Sequence, residues 1–437
     1  MDWKQLLESG RLGDPGTGPQ TMRNEFQRDF DRLVFSTMFR RMNGKTQVFP
    51  LPGSDTTHSR LTHSLEVSSV GRSLGSLIGQ QLPGCNHECT AAVVAAASVA
   101  HDVGNPPFGH SGEAAIADFF HSSSGRRFLE GLTEAEVADF TRFEGNALGF
   151  RLLTRTNPRQ SNWKGGLQLT FATLGAFSKY PRPSLPKGRD SIASEKKFGY
   201  FQSEAGLFDE ISLRLGLIPR PDCGWCRHPL AFLMEAADDI CYHILDLEDG
   251  FRLNLVSYEH AEHLLRGVAD LPPSPVSSKT FNGILDPRER VGYLRAKAIN
   301  NLVSQVASVV IASHTELLEG RYDKPLLADS PSQPAIDAMK EATHKLIYPH
   351  RPVIEIEAAG YRVLGGLLED FLGAACEHPR SKRSEKIISL VSPEYLAAEA
   401  EGTYERIMSI VEFIASMTDG FAISCYRVLR GIELPTT

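Results

Sequence analysis

The sequence predicts an all-α protein. Apolar residues recur at helical spacing along most of the chain, and strands do not alternate with helices as they do in a parallel α/β fold. Neither an internal repeat nor a glycine-rich phosphate loop of the GxxxxGK[S/T] type occurs. A short hairpin within a loop would leave this prediction intact.

The first strong helical pattern covers residues 61–78, whose apolar side chains form one stripe. It places His63 in the first turns of a helix. Residues 89–100 are almost wholly small and apolar, which predicts a second, buried helix. Because Gly104 offers a left-handed cap and the prolines that follow it cannot continue a helix, we expect this helix to end at residues 101–102.

A histidine and an aspartate stand side by side at that helix end, as His101 and Asp102. Adjacent helical residues point about 100° apart, so the two side chains share one ion only at a helix end or with further ligands. His63 and Asp238 are the candidates for those ligands. Two imidazoles and two carboxylates form a mixed nitrogen and oxygen set suited to Mn, Fe, Co, Ni or Zn, with Mg as a weaker binder. Taken singly, each residue also suits a plain structural role as a helix cap or terminus.

A further helix is expected to begin at Pro229, because proline suits the first helical position. Asp238, Tyr242 and Asp246 recur on it at four-residue steps and therefore share one face. Periodicity alone favours solvent over a polar cleft for this face. Asp239 points about 100° away from Asp238, so only one of the two can face the metal, and the shared face selects Asp238.

The remaining patterns predict more helices and three long loops. Residues 133–136 have the spacing of a capping box, and the helix they open is expected to include residues 143–153. Further helices are predicted around residues 293–318, 354–372 and 395–429. Segments rich in Pro, Ser, Gly or charge are expected to be loops or insertions, at residues 181–197, 270–287 and 321–334.

The composition is that of an ordinary globular protein, since 41% of the 437 residues are hydrophobic and 23% are charged. A chain of this length can hold two or three average domains, but the candidate ligands must converge from distant positions, so we expect one principal domain. No apolar stretch reaches the ~20 residues of a membrane span, and the amino terminus lacks the features of a signal peptide. We therefore expect a cytoplasmic protein without membrane contact.

Seven cysteines, an odd number in a long chain, favour reduced thiols over a disulfide framework. Cys85, Cys89, Cys223 and Cys226 are either free thiols or ligands of a structural zinc. The net charge of -7 means that a polyanion needs local positive charge and a metal rather than a basic surface. A basic cluster near the amino terminus comprises Arg23, Arg28, Arg32, Arg40, Arg41 and Lys45. It could bind substrate phosphates or nucleic acid, or it could lie on a solvated helix face and bind neither.

Longer strings of sequence carry a family resemblance. The order of a distant histidine, a His-Asp pair and a distant aspartate is the signature of the HD phosphohydrolase superfamily. Residues 40–49, 108–113, 143–147 and 235–240 resemble the bacterial dGTPase family within it, the deoxynucleotide triphosphohydrolases. The resemblance runs from about residue 23 to about residue 251 and is diffuse beyond, chiefly at residues 416–422.

This resemblance implies an HD-domain helical fold with additional carboxyl-terminal helices. Residues 1–255 are expected to form the catalytic core with the nucleotide pocket, and residues 256–437 a helical extension that packs on it. The resemblance also implies one bound divalent ion, with Mn or Mg favoured over Co, Fe, Ni or Zn. Its expected ligands are His63, His101, Asp102 and Asp238.

A catalytic pair is implied by the string at residues 108–113. His110 and Glu113 match a family pair near the α-phosphate, in which a carboxylate orients and charges an imidazole for acid and base work. By residue type alone, His110 suits a turn and Glu113 the first turn of a helix that Ser111 opens.

The remaining family matches line the expected nucleotide pocket. Tyr242 matches an aromatic ring that lies against C2′ of deoxyribose and leaves no room for a ribose hydroxyl, so it is expected to select deoxynucleotides by exclusion. The other matches are Asp246 for the sugar hydroxyl, Arg60 and Lys179 for phosphates, and Gln47 and Asn146 as polar residues of the pocket.

The resemblance implies metal-dependent hydrolysis of deoxynucleoside triphosphates, with dGTP favoured, to a deoxynucleoside and inorganic triphosphate. One alternative is an HD-type nucleotidase or phosphodiesterase, and another is a non-catalytic nucleotide or single-stranded nucleic acid binding protein. Loss of a ligand or of the catalytic pair would favour the latter, and neither is lost. The family and the long helical third after the core imply a homo-oligomer, with single-stranded DNA as a further candidate partner. Arg427 and Arg430 are candidates to reach a site in their own or a neighbouring subunit.

Overall fold

The computed structural model describes residues 1–13, 23–48, 58–155, 166–189, 192–221, 224–396 and 402–433. Helices make up most of this part of the chain, and its β-pairing is limited to isolated bridges. The prediction of an all-α protein is confirmed. Residue 49, at the end of the first family-like string, and Cys223 lie outside the described residues.

The described part of the chain forms 21 α-helices. Those before residue 255 are α1 (Trp3–Leu6), α2 (Glu25–Val34), α3 (Thr37–Arg41), α4 (Arg60–Gln81), α5 (His87–Ala100), α6 (Gly109–His121), α7 (Ser123–Arg126), α8 (Glu134–Thr141), α9 (Gly145–Thr154), α10 (Phe171–Phe177), α11 (Ala205–Arg214) and α12 (Pro229–Arg252). Those after it are α13 (Tyr258–Ala269), α14 (Ser278–Gly283), α15 (Pro287–Ala312), α16 (His314–Leu318), α17 (Gln333–Leu346), α18 (Arg351–Cys376), α19 (Lys382–Ile388), α20 (Gly402–Ala415) and α21 (Asp419–Leu429).

The two long helices that carry the outer candidate ligands begin where the sequence predicts. A capping box formed by Ser59 and Thr62 opens α4, and His63 lies in its first turn. Helix α12 begins at Pro229, and the side chain of His228 accepts a hydrogen bond from a backbone N–H as its cap. These helices pack against each other and against α5, which brings the first turn of α4 and the end of α5 to the middle of α12.

Two apolar clusters stabilise the fold, because burial of apolar surface is the main favourable term in folding. The first contains residues of α4, α5, α12 and α15. The second contains residues of α6, α9, α18 and α20. Each cluster therefore combines helices from both sides of residue 255, the expected boundary between core and extension.

The expectation of a left-handed cap at Gly104 is wrong, because its φ is not positive. This glycine is needed for close packing of its loop against α9. A Cβ atom at Gly104 would lie 2.0 Å from the carbonyl oxygen of Gly145 and 2.1 Å from the backbone nitrogen of Gly149. Any side chain here would push α9 away from the loop that carries the His-Asp pair.

The helix after that loop also begins earlier than predicted. Helix α6 starts at Gly109 rather than at Ser111, so the whole string of the expected catalytic pair except Phe108 is helical. Phe108 is left-handed, with a φ of 65°. Its backbone N–H donates to Oδ1 of Asp419 at 3.1 Å, and the N–H of Thr46 donates to Oδ2 at 2.9 Å. The first residue of α21 thus fixes two loops of the amino-terminal half.

Other predicted helix boundaries are wrong where one sequence pattern covers two separate helices of the structure. The capping box at residues 133–136 opens α8, but α8 ends at Thr141 and residues 145–153 belong to α9. The helix expected over residues 395–429 is divided into α20 and α21. The segments expected as loops contain α14 and short 3-10 turns at Ala193–Glu195 and Leu326–Asp329. The helices with no counterpart in the predictions are α1, α2, α3, α7, α10, α11, α13, α17 and α19.

Among the described helices, no single one is long and apolar enough to cross a membrane. Helices α20 and α21 reach that length and apolarity only as a pair, and they are bent by 113° against each other.

Candidate functional site

The four candidate metal ligands lie together where α4, α5 and α12 meet. Nε2 of His63 is 3.1 Å from Oδ1 of Asp238, and Nε2 of His101 is 3.4 Å from the same oxygen. Oδ1 of Asp102 lies 3.5 Å from Nε2 of His101. Within the described residues, His63, His101 and Asp102 form the one group of three or more His, Cys, Asp or Glu whose ligand atoms all lie within 4.8 Å of one another.

The hydrogen bond of His101 leaves it ready to bind a cation. Its Nδ1 atom lies 2.7 Å from the carbonyl oxygen of Ser98. Because a carbonyl only accepts hydrogen bonds, Nδ1 carries a proton and the neutral ring keeps a lone pair on Nε2. That lone pair faces carboxylate oxygens, which is favourable only with a proton or a cation between them. The donor set therefore fits a divalent metal ion, in keeping with its mixture of imidazole and carboxylate.

Asp102 is buried and held in place from both oxygens. Nη1 of Arg60 donates to Oδ2 at 2.7 Å, and the side-chain amide of Asn105 donates to Oδ1. Burial alone would raise the pKa of Asp102, but Arg60 and the neighbouring imidazoles outweigh burial and hold that pKa well below its usual value. Asp102 is thus kept ionised, as a metal ligand requires.

Two adjacent aspartates of α12 have different surroundings. Nζ of Lys179 donates to Oδ2 of Asp238 at 2.6 Å, which leaves Oδ1 to the imidazoles. Burial would raise the pKa of Asp238, but Lys179 and His101 hold it well below its usual value. Asp239 also lines the cavity, yet burial together with Glu235 and Asp238 raises its pKa to about 7. These contacts favour Asp238 over Asp239 as the ligand.

A cavity of about 550 Å³ opens beside the ligand cluster, which is in the size range of small-molecule sites. Nine of the predicted site residues line it: Gln47, Arg60, His101, Asp102, His110, Asn146, Lys179, Asp238 and Tyr242. The other three lie behind the wall and each contacts a lining residue, His63 through Asp238, Glu113 through His110 and Asp246 through Tyr348. The structure therefore brings all the predicted site residues to one place.

The expected catalytic pair is formed on α6. Nδ1 of His110 lies 2.8 Å from Oε2 of Glu113, and the histidine side chain is 78% exposed while that of Glu113 is 8% exposed. The other oxygen, Oε1, accepts a hydrogen bond from the backbone N–H of Gly145 at 2.8 Å. Burial would raise the pKa of Glu113, but His110 and Lys197 lower it to about 2. An ionised, fixed carboxylate thus orients an imidazole that lines the cavity and whose Nε2 has no hydrogen-bond partner in the described part of the chain.

Two charged residues beside this pair were not singled out by the sequence. Nζ of Lys197 lies 3.4 Å from Oε2 of Glu113 and 3.0 Å from Oε2 of Glu144. Lys197 comes at the end of a segment that the sequence indicated only as a loop or insertion. Glu144 lies inside the family-like string at residues 143–147, and that string was the one signal that pointed to it.

Tyr348 is a further pocket residue that no motif predicted. It lies between α17 and α18, and its hydroxyl bonds that of Tyr242 and lies 3.0 Å from Oδ2 of Asp246. Burial is the main cause that raises the pKa of Asp246 to about 8. The stripe on α12 therefore faces a cleft, as the family resemblance implies, and not solvent, as periodicity alone favours, because the chain between α17 and α18 covers that face.

Gln47 lines the cavity, and its side-chain oxygen accepts no hydrogen bond from the described residues. Its Oε1 atom is buried and has no hydrogen-bond partner among the described residues. A buried polar atom without a partner costs about 1–3 kcal/mol. A ligand that donates a hydrogen bond to Gln47 would remove this cost.

The basic cluster does not extend into the cavity. None of its six members lines it in the described part of the chain. Arg28 pairs with Glu25 on α2, and Lys45 is buried, donating to the carbonyl oxygen of Ala415 at 2.9 Å. Burial lowers the pKa of Lys45 to about 7. The positive charge at the cavity comes instead from Arg60, Lys179 and Lys197.

The cysteines and the last arginines also lie apart from the cavity lining. Cys85, Cys89 and Cys226 are free, and in the described residues they form no group that could hold a metal. Arg430 lies 3.5 Å from Asp370 of its own chain, and Arg427 pairs with Glu433. Within one subunit neither arginine lines the site.

Comparison with known proteins gives two domain families and close relatives along the whole chain. The HD domain model matches residues 60–144, and the Phosphohydrolase-associated domain model matches residues 328–428. A Deoxyguanosinetriphosphate triphosphohydrolase-like protein of Synechocystis sp. is 42% identical over 99% of this chain and 100% of its own length. One of Pseudomonas aeruginosa is 39% identical over 100% of both chains. A protein of Yersinia pestis named Deoxyguanosinetriphosphate triphosphohydrolase is 29% identical over 99% of both.

These matches agree with the site. The HD match contains the His-Asp pair that follows α5 and the His110–Glu113 pair of α6, and HD domains bind divalent metals. The relatives extend the likeness over the carboxyl-terminal helices, which the sequence strings covered only diffusely. The chain therefore belongs to the dGTPase family of the HD phosphohydrolase superfamily.

Proposed function

We propose that the protein is a metal-dependent deoxynucleoside triphosphate triphosphohydrolase, with dGTP as the favoured substrate. Water cleaves the bond between the α-phosphorus and O5′, giving a deoxynucleoside and inorganic triphosphate. The observation that carries the proposal is that one cavity joins the ligand cluster around His101, the His110–Glu113 pair and the aromatic wall of Tyr242 and Tyr348.

The ligand cluster supplies the site for the ion. His63, His101, Asp102 and Asp238 hold one divalent cation, with Mn or Mg favoured. When bound, such an ion acidifies a water molecule and neutralises charge on a phosphoryl oxygen.

Arg60 and Lys179 bring positive charge to the cavity of a chain whose net charge is -7. Each is held at the wall by a carboxylate of the ligand cluster, Arg60 by Asp102 and Lys179 by Asp238. Fixed cations in a concave site concentrate an anionic ligand without a basic outer surface. They bind the phosphates of the substrate.

His110 delivers a proton to O5′ as the bond to phosphorus breaks. Its Nδ1 is committed to Glu113, which stabilises the protonated ring, so Nε2 is the atom that gives up the proton. The deoxynucleoside leaves as an alcohol, the oxygen of the attacking water stays on the α-phosphorus, and one proton of that water replaces the proton that His110 gave up.

Tyr242 makes the site selective for deoxyribose. Its ring lines the cavity and its hydroxyl is fixed by Tyr348, which also contacts Asp246. A ring held in this way cannot move aside for a 2′-hydroxyl. Asp246 matches the family residue that binds the sugar hydroxyl, and in this structure Tyr348 lies between it and the cavity.

A substrate panel tests the proposal. Purified protein is incubated with each dNTP and NTP and with Mn or Mg, and the products are separated by anion-exchange chromatography. We expect deoxynucleoside and triphosphate from dNTPs, fastest from dGTP, and much less product from NTPs. His110→Ala should lower turnover by about 100-fold or more with its metal content unchanged. The matched control His121→Ala, an exposed histidine at the other end of α6, should stay active.

Other outcomes would identify the alternatives. Release of orthophosphate from monophosphates, or opening of cyclic nucleotides, would favour an HD nucleotidase or phosphodiesterase. Tight nucleotide or single-stranded DNA binding without turnover in the metal-loaded protein would favour a binding protein.

A further inference from the structure

The ammonium group of Lys197 lies between two carboxylates at the edge of the cavity. Its Nζ atom is 3.0 Å from Oε2 of Glu144 and 3.4 Å from Oε2 of Glu113. The three residues come from separate elements: Glu113 from α6, Glu144 from the residue before α9, and Lys197 from the loop after the 3-10 turn Ala193–Glu195. Burial would lower the pKa of Lys197, but Glu113 and Glu144 raise it above its usual value, so the lysine stays charged.

Helix capping does not explain Glu144. It occupies the cap position of α9, yet its side chain accepts no hydrogen bond from the backbone of that helix. Its partners are the ammonium of Lys197 and the side-chain amide of Asn146 at 3.4 Å, and both of these residues line the cavity. Only 14% of its side chain is exposed, and burial, together with Glu113, raises its pKa to about 7. A costly charge is thus placed next to the expected catalytic pair.

The backbone beside Glu144 fixes the other end of this arrangement. The N–H of Gly145 donates to Oε1 of Glu113, and a Cβ at Gly145 would lie 2.6 Å from that oxygen and 2.5 Å from Oδ1 of Asn105. Only glycine permits this approach. Oε1 is therefore occupied, and Oε2 is shared between His110 and Lys197.

We propose that Glu144 is a positioning residue, which holds the ammonium of Lys197 between itself and Glu113 and so sets how strongly Glu113 attracts a proton to His110. The inference deepens the proposed function, and in its catalytic consequence it rests on it. The phenol of Tyr180 and the amide of Asn146 also face this group, and both are uncharged at neutral pH.

The sign of the effect follows from the charges. An ammonium close to Glu113 weakens the pull of that carboxylate on a protonated imidazole. Glu144 draws the ammonium away and offsets its charge, so Glu144→Gln should give Lys197 wholly to Glu113 and make protonation of His110 harder. Lys197→Met should make it easier. With the lysine absent, Glu144 has nothing to position, and its removal should have little further effect.

Histidine NMR tests this without any need for turnover. The protein is labelled with carbon-13 histidine, the His110 signal is assigned by its absence in His110→Gln, and its titration is followed in the metal-loaded protein. We expect Glu144→Gln to move the midpoint to lower pH and Lys197→Met to move it to higher pH. The matched controls Glu134→Gln and Lys196→Met change the same charges at exposed positions nearby and should leave it in place.

The double variant decides whether Glu144 acts through Lys197. In the Lys197→Met background, Glu144→Gln should shift the midpoint far less than it does in the wild-type background. An equal shift in both backgrounds, or no shift from Glu144→Gln alone, overturns the proposal. The NMR test applies even if the protein hydrolyses no dNTP. Absence of dNTP hydrolysis would refute the proposed function and not this inference.

Steady-state kinetics supply the catalytic readout. Glu144→Gln should lower kcat on dGTP by about tenfold and displace the pH profile, with KM and metal content near the wild-type values, a smaller loss than the roughly 100-fold expected for His110→Ala. A Glu144 that merely stabilised the fold would lower the melting temperature and leave the pH profile unmoved, and that outcome also overturns the proposal.

Discussion

Nε2 of His63 lies 3.1 Å from Oδ1 of Asp238, although 175 residues separate the two in the chain. The contact joins the first turn of α4 to the middle of α12 and defines the side of α12 that faces the ligand cluster. It also divides Asp238 from its neighbour Asp239, whose carboxylate does not share this contact.

Asp238→Ala should abolish bound metal and activity in a protein that remains folded, because it removes a carboxylate that both imidazoles face. Asp239→Ala is the matched control and should keep its metal. Metal content after dialysis is measured by inductively coupled plasma mass spectrometry, and circular dichroism checks the fold. If Asp239→Ala loses the metal and Asp238→Ala keeps it, the choice of ligand is wrong.

Tyr242→Ala should narrow the preference for dGTP over GTP by about tenfold, because it removes the ring expected to exclude a 2′-hydroxyl. The measured quantity is the ratio of kcat/KM for the two nucleotides. Tyr348→Phe is the comparison, since it keeps an aromatic ring but loses the hydroxyl that contacts Asp246. Because the same hydroxyl fixes that of Tyr242, this variant should narrow the ratio too, but by less than Tyr242→Ala, which removes the ring itself. An unchanged ratio in Tyr242→Ala would place selectivity elsewhere.

His58 should stabilise the protein in a manner that depends on pH. Hydrogen bonds to Asp249 and Glu66 are the main causes that raise its pKa to about 10. Because the folded state holds this proton more tightly than the unfolded state, the stabilisation is complete below the unfolded pKa of about 6.5 and is lost as pH rises through about 10. Urea unfolding at several pH values should therefore find His58→Gln destabilised at pH 6 and progressively less so toward pH 10. A difference that is independent of pH would refute this origin.

The protein should form a homo-oligomer, as the family resemblance and the long carboxyl-terminal helical part lead us to expect. Size-exclusion chromatography with light scattering measures the mass directly. Full activity of a monomer at micromolar concentration would contradict the prediction. Arg430 contacts Asp370 in its own subunit, so a role in a neighbouring site would require it to change partners on assembly.

The sequence indicated much of the site because local signals place its ligands. The apolar stripe of residues 61–78 puts His63 near the start of α4, a proline starts α12, and the small apolar run of α5 ends at the His-Asp pair. What it could not indicate depends on distant contacts. Tyr348 reaches Tyr242 from 106 residues away with no motif around it. The tight fit of Gly104 against α9 has no local pattern either.

Dependence on distant contacts also explains why periodicity alone placed the acidic stripe of α12 in solvent. Its spacing was recognised, but whether Asp246 faces water or a cleft depends on the chain that covers it between α17 and α18. The composition around Lys197 predicts only a loop. A lysine in a loop is most often solvated, so nothing in the sequence indicates that Lys197 lines the site. The family resemblance identifies the strings that carry the ligands and the catalytic pair. Only the fold shows that Tyr348 and Lys197 lie next to them.

Hydrolysis of dGTP in water enriched in oxygen-18 tests the central claim most directly. If water attacks the α-phosphorus and the bond to O5′ breaks, mass spectrometry should find one heavy oxygen in the inorganic triphosphate and none in the deoxyguanosine. Label in the deoxyguanosine, or heavy oxygen in orthophosphate or pyrophosphate with a deoxynucleotide left behind, would contradict the account.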